Sequence, residues 1–199
     1  MVFKYFENPE TLIGFHENEV DCDICGENKT CFNAEAFYGE ESINFICPKC
    51  LAEGKLLSKN IYTCSGDLEE LKKQIKNLNP SISVKEIDDL AKEKTQELEN
   101  KTPHLATWQD WNWPCADGDY CKFIGYGSKP FYQELAKGIS DQEFFRDSFY
   151  DKNSFTNDLW EEVPKRRIEN FEDSNQNSSV FYVFRSLNSD KILTIWDSN

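Results

Sequence analysis

The stretch CDICG, Cys22 to Gly26, is answered 21 residues later by CPKC, Cys47 to Cys50. Two Cys-x-x-Cys pairs at this separation form the pattern of a zinc ribbon. The reason is geometric: Zn²⁺ takes four soft ligands in a tetrahedron with sulfur at about 2.3 Å, and a turn with two intervening residues points two thiolates at one centre. Gly26 suits a turn with positive φ, and Pro48 suits a rigid one. Two competing readings fit less well. A redox dithiol needs one pair beside a βαβ unit, and this chain has two pairs. Paired disulfides need an oxidising compartment. Cys22, Cys25, Cys47 and Cys50 are therefore the expected ligands of one structural Zn²⁺. Four thiolates leave no open position for substrate and give the centre a formal charge of −2. In zinc-finger peptides such binding is worth about 10–16 kcal/mol of apparent folding free energy, enough to hold a loop-rich region of this size.

The remaining thiols, Cys31, Cys64, Cys115 and Cys121, carry no knuckle spacing. A second site is one reading of them, and ordinary partly buried thiols are the favoured one. His16 and His104 are the chain's two histidines. Neither has a recognisable partner, and no nucleophile triad, phosphate-cradling glycine loop or His-Glu-x-x-His is present. No enzymatic role is expected, although a second metal in the aromatic stretch would revive one.

Around the cysteines the chain reads as α+β in three parts. Residues 1–64 form the ribbon region, with KTCFNAEAFYG and SINFIC as strand candidates and LAEGKLLS as one or two helical turns. Residues 65–101 form a helical hairpin. Its first helix starts at Asp67 with Glu70 at the capping-box position, and its second at Ser83 with Glu86. Leu68, Leu71, Ile75 and Leu78, then Val84, Ile87, Leu90, Ala91 and Leu98, make the apolar stripes. Residues 102–199 form an aromatic-rich α+β region, expected to pack as one unit with the ribbon. It contains helices near 130–138 and 140–150, a polar stretch 151–179 with an exposed EDSNQNSS loop, and a C-terminal hairpin turning at Asn188–Ser189.

The formal charge is −14 over 199 residues. Acids outnumber bases 11 to 5 in residues 1–64, 9 to 7 in 65–101 and 16 to 10 in 102–199, so the acidity is distributed. Such a field repels nucleic acid and anionic lipid and favours a basic protein; an acidic face that merely aids solubility is the alternative. No signal peptide or membrane span is legible, so a cytoplasmic protein is expected. Trp108, Trp111 and Trp113 read either as an ordinary core corner or as interface anchors, with Glu161, Glu162, Glu172 and Asp173 as an acidic rim.

FKYFENPETLIG (3–14), CDICG (22–26), YGEESINFICPKCLAEGKLLSKN (38–60), KTPHLATWQDWNWPCADGDYCKFIGYG (101–127) and VFRSLNSDKILTIWD (183–197) occur in the order found in the CbrC family. The chain resembles that bacterial group over about half its length. The resemblance implies a non-enzymatic immunity or tolerance protein that neutralises a bacterial toxin, such as a basic nuclease; a zinc-ribbon adaptor in a stress or regulatory response is the alternative. Family members often carry a further Cys pair where this chain has Ser186 and Ser189.

Overall fold

The computed structural model describes residues 1–198. It is a mixed helix–strand fold with a cysteine cluster near the N-terminus and a C-terminal sheet. Numbering the longer elements, α1 spans Leu68–Leu78, α2 Val84–Lys101, β1 Lys122–Tyr126, α3 Lys129–Ala136, α4 Asp141–Ser148, β2 Ser179–Arg185 and β3 Ile192–Ser198.

The sheet is antiparallel, in the order β3-β2-β1. Its middle strand, SVFYVF, is buried from Ser179 to Phe184 because both faces are covered. Val180, Tyr182 and Phe184 face the main core, while Phe181 and Val183 join a second cluster. The period of two along a strand assigns alternate residues to the two cores. The second cluster is built on Tyr132 and Phe145 of α3 and α4 together with Phe149 and Trp160. Edge-on aromatic contacts such as Phe145–Phe149 at 4.9 Å and 85° hold it together. The N-terminal segment lies beside β1 through Glu7 N–H to Phe123 O and Phe123 N–H to Tyr5 O, both 2.9 Å.

The hairpin α1–α2 starts where expected. Asp67 accepts Glu70 N–H at 3.2 Å, and Ser83 with Glu86 forms a complete capping box. Leu71 and Ile75 on α1, and Ile87, Ala91 and Leu98 on α2, are buried. The stripes are shorter than the sequence implies, because Leu78, Val84 and Leu90 lie at or near the solvent-exposed end of the hairpin. A polar joint secures α2 to the rest. Asp119, buried in the Asp119–Tyr120 turn strand, accepts from Tyr5 Oη (2.9 Å) and Lys94 Nζ (2.7 Å) and pairs with Lys4 (3.3 Å). Burial pushes its carboxyl up, but Lys94, Tyr5 and Lys4 hold it below the usual carboxylate range.

Three further expectations need correction, and a fourth, for LAEGKLLS, is met. The polar stretch 151–179 also carries core residues: Leu159, Trp160 and Val163 are buried in the second cluster, and Ile168 is buried in the main core. The ribbon strands contract to pairs of residues, Phe32–Asn33 with Phe45–Ile46 and Tyr38–Gly39 with Ile61–Tyr62. LAEGKLLS divides between a helix, Pro48–Ala52, and a 3₁₀ turn, Lys55–Lys59. The C-terminal turn is wider than Asn188–Ser189, because Arg185 pairs with Ile192 and the intervening loop docks on Asp117. Ser186 Oγ and Ser189 Oγ each donate to Asp117 Oδ2 at 2.7 Å, and Asn188 Nδ2 donates to its carbonyl at 2.9 Å.

Candidate metal centre

The first knuckle leaves a two-residue ladder in which Val20 pairs with Lys29 and Asp21 with Asn28. Cys22 N–H donates to Glu27 O (3.1 Å) and Gly26 N–H to Cys22 O (2.7 Å), closing the turn with Gly26 at φ +71°. The second knuckle opens a helix. Cys47 is its N-cap, its sulfur accepting Cys50 N–H at 3.5 Å, and Pro48 occupies the first turn, where a missing N–H costs nothing.

Backbone bonds join the two knuckles. Asp23 N–H donates to Phe45 O at 3.0 Å, while the Asp23 carboxylate accepts from Asn44 N–H (2.6 Å) and Phe45 N–H (3.1 Å). Cys47 N–H donates to Cys22 Sγ at 3.2 Å. The four sulfurs of Cys22, Cys25, Cys47 and Cys50 consequently lie within 4.8 Å of one another. A tetrahedron with bonds of about 2.3 Å needs sulfurs about 3.8 Å apart, so small adjustments would seat the ion. The donor set fits a thiophilic ion such as Zn²⁺, and the N–H···S bonds are those that stabilise thiolates. Four cysteines placed this closely could hold one metal ion.

Electrostatics within the cluster differ by position. Burial raises the Cys22 thiol, but backbone N–H groups of Cys47, Cys25 and Ile24 outweigh it and bring the value down to about 7. Burial pushes Cys47 and Cys50 up. Cys31 is also buried close to the cluster, and burial together with the Cys22 and Cys47 charges raises it to about 12. Among the described residues it belongs to no metal-ligating group beyond these four.

Cys64, Cys115 and Cys121 are likewise free thiols, and they do not converge on a second centre among the described residues. Cys115 contacts Tyr150 Oη at 3.7 Å, and Tyr150 in turn donates to Asp67. Among the described residues, neither His16 nor His104 joins a metal-ligating group: His16 packs on Phe45 at 4.8 Å, and His104 Nδ1 sits 2.7 Å from Thr63 O.

The three tryptophans part company. Trp113 is 1% exposed, pinned by its indole N–H to Cys121 O (2.7 Å) and packed on Phe184, so it serves the core and offers no surface anchor. Trp111 is half-buried against Tyr182 and Phe184. Trp108 is half-buried and donates to Asn175 Oδ1 at 3.1 Å, which places it beside the Phe171–Ser174 turn carrying Glu172 and Asp173. Glu162 accepts from Ser178 Oγ at 3.0 Å, whereas Glu161 faces Lys129 at 3.8 Å. Glu161, Glu162 and Glu172 are exposed and Asp173 is half-buried. Sequence reading missed Asp23, whose only signal was a short acceptor inside the first knuckle, and Asp119, which carried none.

Fold and site together define an α+β protein with a four-cysteine cluster near its N-terminus and no helix, among the described residues, long and apolar enough to cross a membrane. The chain belongs to UPF0167, an uncharacterised protein family whose model matches residues 1–198. It is similar to UPF0167 proteins of Mycobacterium bovis and Mycobacterium tuberculosis, each 25% identical over 124 residues. Those alignments cover 62% of this chain and 58% of each relative. No solved structure matches it.

Proposed function

We propose that this chain is a zinc-stapled binding protein that catalyses nothing and docks a basic protein through its acidic surface. The observation that carries the reading is the convergence of four sulfurs, three of them on buried cysteines, in a set that leaves a tetrahedral ion no vacant position. The ion holds the ribbon; the formal charge of −14 supplies long-range attraction for a cationic partner. The resemblance to the CbrC family makes that partner a toxin of the basic nuclease type, neutralised in the cytoplasm, where free thiols persist. The names of the mycobacterial relatives mention no toxin.

The test uses the zinc-loaded full chain as bait for a basic nuclease domain of a bacterial toxin. Association should be fast at low ionic strength and fall steeply with salt. The combined substitution Glu161→Lys, Glu162→Lys and Glu172→Lys should slow it. Capture of a basic regulatory protein in place of a toxin would select the adaptor role. Salt-independent binding, or indifference to the three substitutions, would contradict a docking face at this position.

A further inference from the structure

A cleft of about 350 Å³ opens between the ribbon and the aromatic segment, away from the four sulfurs. Its walls include Tyr38, Tyr62, Cys64, His104, Asp110 and Trp111, and no lysine or arginine lines it. The short pair Tyr38–Gly39 with Ile61–Tyr62 sets the two tyrosines face to face, with centroids 5.5 Å apart and planes 17° apart. Gly39 permits that pairing: its φ is +148°, and a Cβ there would meet Asn60 O at 2.3 Å. His104 stands edge-on to Tyr38 at 6.2 Å. Its Nδ1 is committed to Thr63 O, and burial lowers its pKa, so the ring is neutral and Nε2 keeps a lone pair. Asp110 is exposed and makes no ion pair with any described residue. It lies close enough to help raise the Tyr38 phenol, after burial.

π-Faces, a neutral imidazole acceptor and an unpaired carboxylate share one cleft without a competing cation. Electron-rich aromatic faces attract cations, and a planar guanidinium satisfies several acceptors at once where an ammonium presents a point charge. We propose that this cleft, where Tyr38 and Tyr62 meet His104, Trp111 and Asp110, receives the guanidinium of an arginine side chain projecting from a basic protein partner. The exposure of both tyrosines, 42% and 37%, opens the cleft to a side chain on a protein stem, and the chain's formal charge of −14 favours a basic carrier. The assignment rests on the preceding reading only for the source of the arginine.

The zinc-loaded full chain, titrated with N-acetyl-argininamide, should shift the Trp111 indole N–H resonance saturably, with a Kd of about 1–10 mM for one cation–aromatic contact and an exposed ion pair. N-acetyl-citrullinamide, the neutral isostere, should bind about tenfold more weakly. Asp110→Asn, at an exposed site, should weaken the arginine ligand about two- to fivefold and leave the citrulline ligand unchanged. Equal binding of the two ligands, no saturable shift with either, or indifference to Asp110→Asn would overturn the inference. Tighter binding of free L-arginine than of the capped peptide Gly-Arg-Gly would overturn the protein source. Loss of nuclease capture with argininamide binding intact would contradict the preceding reading alone; the reverse would contradict this one alone.

Discussion

Residues 1–64 and the C-terminal sheet order their chains by different means. The ribbon's ladders are two residues long, and its strands hold their places through the knuckles and through Asp23. The sheet pairs seven residues of β2 with seven of β3 and buries aromatic side chains on both faces. Two-residue ladders contribute little cooperative stability, so the first region needs a cross-link that the second does without. The two are not separate bodies, since Phe32, Ile46, Leu51 and Leu56 share the main core with Trp113, Tyr182 and Phe184.

The largest effect should come from taking the staple away. Chelation, or Cys47→Ser, should cost the ribbon about 10 kcal/mol of apparent stability. Hydrogen exchange should then show amides 20–50 losing protection while β1, β2 and β3 retain it; equal loss in both regions would break the comparison. Next in size is Phe184→Ala. Phe184 is fully buried against Trp113 and Phe123, and its removal should lower the unfolding free energy by about 3–5 kcal/mol in urea with metal content unchanged.

Asp119→Asn tests the joint between N-terminus, α2 and core, with an expected loss of about 3 kcal/mol at pH 7. Because the folded carboxyl is depressed, its contribution is present above the ordinary aspartate pKa and disappears as pH falls through the lower folded value. Wild type should therefore lose more stability than the variant on acidification from pH 5 to pH 2, a range set by the usual aspartate value of about 3.9. Ser83→Ala, which removes the α2 cap, should cost about 1 kcal/mol and leave the metal untouched.

Local signals in the sequence survived best. Both caps of the helical hairpin, the C-terminal β-hairpin and the spacing of the four cysteines are short-range patterns, and the structure contains each of them. Contacts between distant segments were illegible. Nothing around Trp113 distinguishes it from Trp108, yet one is core and the other half-buried, because the difference depends on Cys121 and Phe184 arriving from elsewhere. The polar stretch 151–179 hides its role for the same reason: Trp160 is an isolated apolar residue until α3 and α4 give it something to cover, and Ile168 until the main core does. Likewise, the cleft at Asp110 joins residues 38, 62 and 104–113, which no spacing rule connects.

The most direct test of the account is X-ray absorption at the zinc edge, combined with elemental analysis of the purified chain. One zinc per chain surrounded by four sulfurs at about 2.3 Å, lost in Cys47→Ser, is the predicted result. A folded chain that carries no metal, with Cys22, Cys25, Cys47 and Cys50 open to alkylation, would contradict it.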